Sequence, residues 1–164
     1  NRQTLFWLNQ NIAQVCRDYQ HNDKVALARG YLAEYINKAD PIEWSRWIQY
    51  REDKYSKIQI VKPLSSAYSI YLLSWLPGQA SPIHGHPLGE CVMAILQGSL
   101  VETVYSSIKL KPLSYKKQIR ILTPGKIGYI DDSIGYHSIA NVYNIPCNSL
   151  HIYFPNSTVT KNNV

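Results

Sequence analysis

The pattern of the chain changes at about residue 57, and this change constrains the fold more than any other feature. From there on, short runs of β-branched and aromatic residues are separated by segments rich in Gly, Pro, Asn and Ser. The runs are KIQIV, YSIYLLSW, CVMAILQ, LVETVYS, QIRIL, IGYI and SLHIYF. Because these runs are short, nearly evenly spaced and not separated by helical segments, they predict an antiparallel β-sandwich or β-barrel rather than a βαβ sheet.

The first third of the chain has a helical pattern instead. Apolar residues recur at three- and four-residue steps from Leu5 to Val15 and again from Leu27 to Tyr35. We expect Asn22 and Asp23 to cap the second helix, and a third short helix to follow Pro41. Since 164 residues fit one ordinary domain, the sequence predicts a single domain over 1–164. In it, a mostly helical segment, 1–50, covers a β-barrel formed by 55–155.

Composition narrows the classes of partner. The net charge is +6, but the basic residues are scattered among apolar ones and form no stripe or arm, which argues against a nucleic-acid site. No apolar run reaches the length of a membrane span, and the basic, polar start does not match a signal peptide. The three cysteines, Cys16, Cys91 and Cys147, have no paired spacing, which indicates a reducing compartment. We therefore expect a soluble cytoplasmic monomer with no nucleic-acid or membrane partner.

The densest chemistry lies between Gly78 and Gly98, where the sequence reads GQASPIHGHPLGECVMAILQG. His84 and His86 are two residues apart, so on a strand both imidazoles project from the same face and can reach one ion. A third histidine, His137, follows a turn-like Gly and leads into a short strand. Three imidazoles suit zinc, copper, nickel or iron, so the ligand type alone does not name the metal.

Two motifs in this body resemble those of the cupin superfamily. One is the Gly-x5-His-x-His block that begins at Gly78 with a Gly ending the next strand, and the other is the His-x3-Asn sequence from His137 to Asn141. The resemblance implies a cupin, a jelly-roll-like β-barrel. Many cupins carry a glutamate ligand six intervening residues before Gly98, where this chain has Cys91. Glu90 is one step out of phase, and since a one-residue step reverses the face of a strand, it should point away from a metal.

That cysteine, together with DSIGYH at 132–137 and SLHIY at 149–153, resembles the cysteine dioxygenase family over roughly residues 55–155. The resemblance implies a mainly β cupin fold and an enzyme that uses non-haem Fe(2+) to add both atoms of O2 to a small thiol. It implies iron ligands at His84, His86 and His137. It also implies that Cys91 can form a thioether crosslink with Tyr153.

The last run has alternating character. Its polar members Ser149, His151 and Tyr153 alternate with apolar residues at strand period, so one face is polar and the other apolar. An exposed sheet face gives the same pattern, whereas beside a three-histidine site the row supplies hydrogen bonds around the metal. The resemblance favours the second interpretation. We expect Tyr153 to hold the substrate, with His151 and Ser149 orienting its phenol.

Which thiol is the substrate depends on Lys57, which replaces an arginine of the family pattern. Where cysteine dioxygenases have a Tyr-x-Arg element whose arginine binds the substrate carboxylate, this chain has Tyr55 and Lys57, two residues apart. Lysine keeps the positive charge but lacks the planar two-pronged donor of arginine. Tyr55 and Lys57 are the predicted substrate-binding residues, and other nearby side chains are alternatives for the carboxylate: Arg51, Gln59 and Lys62.

Three hypotheses follow. The first is oxidation of L-cysteine to cysteine sulfinic acid. The second keeps the chemistry and changes the substrate to 3-mercaptopropionate or another small thiol. The third is a non-catalytic metal- or sugar-binding cupin. Cys91 and Tyr153 favour the enzyme, because a storage or sugar-binding cupin has no need of a thiol and a phenol beside the metal.

Overall fold

Helices precede strands in the computed structural model, which describes residues 2–85, 89–105, 116–130 and 136–155. Helix α1 spans Leu5–Asp18, α2 spans His21–Lys38 and α3 spans Pro41–Ser45. All three predicted helices are therefore confirmed. Within the described ranges, no helix is long and apolar enough to cross a membrane.

The predicted cap of α2 is wrong. The helix begins at His21, before Asn22 and Asp23, and Gln20 occupies the N-cap position without a side-chain cap hydrogen bond. Asp23 lies in the first turn, where a negative charge interacts favourably with the helix dipole. Its acidic side chain therefore marks the start of the helix without capping it.

The predicted strands are confirmed, and each neighbouring pair is antiparallel. They are β1 Ser56–Gln59, β2 Ser69–Trp75, β3 Gly89–Gln97, β4 Leu100–Tyr105, β5 Lys116–Leu122, β6 Ile127–Ile130, β7 Tyr136–Ala140 and β8 Cys147–Pro155. They form a five-stranded sheet in the order β1-β2-β8-β3-β6 and a three-stranded sheet in the order β5-β4-β7. The observed architecture is thus mainly β, with helices at its N-terminal end.

The helices pack on the outer face of the five-stranded sheet. Because side chains alternate between the two faces of a strand, β2, β3 and β8 each present an apolar row to the helices. One core cluster joins the two layers, and its fully buried members include Leu8, Ile12, Leu32, Ile70, Leu72, Val92, Leu150 and Ile152. The first fifty residues therefore share a core with the strands.

The inner face of the same sheet carries the polar side chains. Residues of β2, β3 and β8 on this face pack against the three-stranded sheet in a second core cluster: Leu73, Trp75, Met93, Ile95 and Cys147 against Leu100, Leu122 and Ile139. In the strand register, Cys91 of β3 lies directly opposite Tyr153 of β8. Glu90 pairs with Phe154, one step away, so its side chain lies on the opposite face from Cys91, as predicted.

A short segment after β2 brings His84 to β7. Isolated bridges join Ala80 to Ala140 and His84 to His137, and the backbones of His84 and His137 exchange two hydrogen bonds of 2.9 Å. His84 therefore lies in a single bridge beside β7 rather than in a regular strand. The pairing fixes the two histidines side by side at the edge of the three-stranded sheet.

Candidate metal centre

Two imidazoles meet at this edge. The Nε2 atoms of His84 and His137 are 3.0 Å apart, and the ring centroids are 4.5 Å apart. His137 is buried and His84 half-buried. The third predicted ligand, His86, lies outside the described residues.

The partners of the other ring nitrogens select the tautomer that each neutral imidazole adopts. His84 Nδ1 lies 2.8 Å from the carbonyl oxygen of Pro82, which can only accept, so Nδ1 carries the proton. His137 Nδ1 lies 3.0 Å from Oε1 of Glu102, a carboxylate that also forms an ion pair with Arg120. In the neutral form of both rings, each Nε2 atom then has its lone pair directed at the other. Two lone pairs at this distance repel unless a cation lies between them.

A metal ion fits this arrangement. Imidazole nitrogens bind metals at about 2.1 Å, and two such ligands at a right angle lie about 3.0 Å apart. Burial lowers the pKa of His84, opposed by its hydrogen bond to Pro82, while the charges of His137 and Lys57 lower it further. The neutral, ligating form is thereby favoured. Within the described ranges, no three His, Cys, Asp or Glu side chains form a metal-binding group.

The two histidines open into a pocket between the sheets. Its walls are partly apolar and partly polar, as small-molecule sites commonly are. It is lined by Tyr55, Leu73, Trp75, Ser81, His84, Cys91, Met93, His137, Ile139, His151 and Tyr153. The structure thus brings the predicted residues His84, His137, Cys91, His151, Tyr153 and Tyr55 to one cavity.

Cys91 and Tyr153 are in contact within it. The Tyr153 hydroxyl donates a hydrogen bond to the Cys91 sulfur. Burial raises the pKa of the Cys91 thiol to about 12, although Lys57 and the Tyr153 hydrogen bond act in the opposite direction. Burial also raises the pKa of Tyr153, and the nearby Cys91 raises it further. Both groups therefore stay protonated at neutral pH.

A chain of hydrogen bonds reaches Cys91 from the predicted polar row. The Trp75 indole N–H donates to Ser149 Oγ at 3.0 Å, Ser149 Oγ lies 2.8 Å from His151 Nε2, and His151 Nδ1 lies 3.7 Å from Cys91 Sγ. Since the indole only donates, the Ser149 hydroxyl is free to donate to Nε2, which leaves Nδ1–H directed at the sulfur. The ring of His151 also stacks on Tyr153 with 6.0 Å between centroids.

Comparison with known proteins identifies the family of this chain. The family model described as Cysteine dioxygenase type I matches residues 4–162. The chain belongs to this family. Cysteine dioxygenase type 1 of Homo sapiens is 32% identical over 120 residues, which are 72% of this chain and 60% of the human protein. The chain therefore spans about 60% of the length of that cysteine dioxygenase.

Solved structures show the same fold. The TT1209 protein of Thermus thermophilus has a TM-score of 0.55 at 25% identity, over 68% of this chain and 93% of that one. A cupin superfamily protein of Desulfitobacterium hafniense has a TM-score of 0.53 at 21% identity, over 71% and 89% of the two chains. The predicted cupin fold is confirmed. Membership of the cysteine dioxygenase family also implies non-haem iron as the metal.

Lys57, where cysteine dioxygenases were expected to have arginine, lies above two aromatic rings. Its Nζ atom is 4.1 Å from the ring centroid of Tyr153 and 4.5 Å from that of Tyr71, within the range of cation–π contact. Tyr55 stacks on Trp75 at 4.3 Å. Desolvation lowers the pKa of Lys57, opposed by Cys91. The Lys57 ammonium therefore contacts the ring of Tyr153, which lines the pocket.

Sequence reasoning missed Glu102, the partner of His137 Nδ1. The signal was present, since Glu102 occupies a buried position between Leu100 and Val104 in the alternation of β4. An acidic residue on the inner face of a strand requires a partner. It also missed the indole of Trp75, which anchors the Ser149–His151 hydrogen bonds.

Proposed function

We propose that this chain is a non-haem iron thiol dioxygenase that oxidises L-cysteine with O2 to cysteine sulfinic acid. The observation that carries the proposal is the 3.0 Å approach of the Nε2 atoms of His84 and His137 in a pocket that also contains Cys91 and Tyr153. A structural metal site has no use for a thiol and a phenol paired across two strands beside it. Membership of the cysteine dioxygenase family supports the same reading.

His84, His86 and His137 would hold the iron. Ferrous iron supplies the transfer of both oxygen atoms of O2 to a thiol sulfur, which converts the thiol to a sulfinate. Three neutral ligands would leave the double positive charge of the ion uncompensated, which would favour a thiol substrate in its thiolate form.

Tyr153, His151 and Ser149 position the reactants. The Tyr153 hydroxyl lies in the same pocket as the histidine pair and donates a hydrogen bond. In our proposal its single O–H donor turns from Cys91 to the bound substrate. The Trp75–Ser149–His151 hydrogen bonds hold His151 in one orientation, so its ring supports the phenol from a fixed distance.

We further propose a covalent link between Cys91 and Tyr153. The S–C bond forms between the Cys91 sulfur and a ring carbon next to the Tyr153 hydroxyl, and the thiol and ring hydrogens leave as two protons and two electrons, which O2 accepts. Register and hydrogen bond already place the two groups together. After turnover, intact-mass analysis should show a species lighter by two hydrogens. The species should be absent from Cys91→Ser, and a protein of unchanged mass would contradict the link.

Lys57 and Tyr55 are the proposed contacts for the rest of the substrate. Lys57 supplies a positive charge for a carboxylate, and Tyr55 lines the pocket beside Trp75. A lysine offers a point charge rather than a fork, so recognition of the α-carboxylate is less directional than with arginine. This substitution supports a second candidate substrate, 3-mercaptopropionate, which has a carboxylate but no α-amine.

Oxygen uptake tests the proposal directly. Iron-loaded protein should consume O2 with L-cysteine, and the ratio of kcat/KM for L-cysteine to that for 3-mercaptopropionate identifies the preferred thiol. His84→Ala should lose both bound iron and oxygen uptake. Retention of iron and activity by that variant would overturn the assignment of the site.

A further inference from the structure

Glu102 lies behind His137, on the side of the ring away from His84. Its Oε1 atom is 3.0 Å from His137 Nδ1, while Nε2 of the same ring lies 3.0 Å from His84. The side chain of Glu102 is only 2% exposed. A carboxylate buried to this extent is stable only where donors or positive charges offset its desolvation.

Arg120 is the second residue, after His137, that contacts the Glu102 carboxylate. It lies directly opposite Glu102 in the register of β4 and β5, and its terminal nitrogen is 2.8 Å from Oε2, an ion pair without hydrogen-bond geometry. The side chain of Arg120 is 33% exposed, so the ion pair connects the interior to the surface. The row Arg120–Glu102–His137 thus crosses all three strands of the smaller sheet.

The Glu102 carboxylate and the Arg120 guanidinium have opposite effects on the His137 imidazole. A carboxylate that accepts a hydrogen bond from Nδ1–H fixes the tautomer and increases the electron density at Nε2, which makes the ring a stronger ligand. A guanidinium on the other oxygen withdraws part of that charge and weakens the effect. Neutral imidazole ligands bring no charge to the metal. Glu102 therefore supplies a negative charge that is separated from the proposed iron only by the ring of His137.

We propose that Glu102 is a positioning residue that orients His137 and strengthens its binding of ferrous iron, and that Arg120 limits this effect. The inference rests on the proposed iron site but concerns residues outside the ligand set. It requires that removal of the carboxylate charge and removal of the guanidinium charge change the properties of the metal in opposite directions. A purely structural ion pair would not do so, because loss of either partner would then impair the site.

The test measures the dissociation constant of Fe(II) under anaerobic conditions, by competition with a chelator. Glu102→Gln keeps the size and an acceptor oxygen but removes the charge, and we expect roughly 10- to 100-fold weaker binding. Arg120→Gln should bind Fe(II) severalfold more tightly. Thr103→Ala is the matched control, because Thr103 is the next residue on β4 and faces the opposite side of the sheet; its affinity should equal that of the parent.

The midpoint potential of the Fe(III)/Fe(II) couple gives a second readout. A nearby negative charge stabilises Fe(III), so Glu102→Gln should raise the potential and Arg120→Gln should lower it. Changes of the same sign in the two variants, or a Glu102→Gln affinity within twofold of the parent, would overturn the inference.

Arg120→Gln alone decides the question if Glu102→Gln does not fold. Tighter binding with a lower potential supports the inference, and weaker or unchanged binding overturns it. The parent protein separates this result from the wider proposal. A parent that binds no Fe(II) refutes the iron site itself, whereas a parent that binds iron and oxidises a thiol, with no opposite changes in the variants, refutes only the role of Glu102 and Arg120.

Discussion

Individual residues at this site are constrained mainly by their hydrogen-bond partners. The acceptors at Pro82 and Glu102 fix the tautomer of both neutral rings, in which Nδ1 carries the proton and Nε2 can bind the proposed metal. The histidines could be recognised from the sequence because their spacing is distinctive. The backbone carbonyl of Pro82 leaves no signal in the sequence. Glu102 is recognisable as a buried acidic residue, but its pairing with His137, 35 residues further along the chain, is not.

Lys57 provides a test of substrate recognition. If its ammonium binds the substrate carboxylate, Lys57→Ala should raise KM for the preferred thiol acid roughly 10- to 100-fold, the loss of one charge-assisted hydrogen bond. Cysteamine, which has the thiol and amine of cysteine but no carboxylate, serves as the matched control substrate. An equal rise in KM for cysteine and cysteamine would show that Lys57 acts on Tyr153 rather than on the carboxylate.

Cys147 provides a test of stability at high pH. It is fully buried, and burial raises the pKa of its thiol to about 12. An unfolded thiol loses its proton near pH 8.5, so the folded state alone retains the proton above that pH. The contribution of this protonated thiol to the free energy of unfolding is therefore complete below about pH 8.5. It is lost as the pH rises towards about 12, by up to ~1.4 kcal/mol per pH unit.

Urea unfolding across this pH range should show a shallower loss of stability for Cys147→Ala than for the parent. Cys91, whose pKa is raised in the same direction, is present in both proteins, so its effect cancels in the comparison. Parallel curves for the two proteins would contradict the assignment.

Strands and turns set the positions of these residues. The two-residue period of the strands was readable from the sequence, and it correctly predicted the alternation of Ser149, His151 and Tyr153 on β8. It did not reveal that Ser149 and His151 are buried on this face, because their burial depends on the second sheet. The start of α2 was also missed, since a helix can begin at a residue such as His21 without a side-chain cap.

The turn between β3 and β4 depends on Gly98. Its φ is +76°, and a Cβ atom there would lie 2.5 Å from the carbonyl oxygen of Pro146. Gly78 has a similar φ of +84°, but a Cβ atom would meet nothing within 4 Å. The two glycines therefore share the conformational constraint and differ only in the space around them.

Alanine substitutions separate these two effects. Gly78→Ala should cost about 1–2 kcal/mol of unfolding free energy, the penalty for a left-handed backbone. Gly98→Ala should cost roughly 1–3 kcal/mol more, because Pro146 and Cys147 must move. Urea unfolding of the two variants measures the difference. Equal losses would show that the backbone of β8 does not constrain Gly98.

The whole molecule places a pocket between two sheets and leaves the helices on the outside. The helical segment packs against the outer face of the five-stranded sheet, whose inner face carries Cys91, His151 and Tyr153. The helices therefore stabilise the sheet from behind without entering the pocket walls described above. The fold class was predictable because strand spacing is a local property. The contact between His84 and His137, 53 residues apart, depends on the whole barrel.

Oxidation of L-cysteine under labelled dioxygen, ¹⁸O₂, tests the central claim most directly. The account predicts that iron-loaded protein converts cysteine to cysteine sulfinic acid in which both sulfinate oxygens carry the label, with one O2 consumed per thiol. Mass spectrometry of the product measures this. A product without label, or cystine as the sole product while iron is bound, would contradict it.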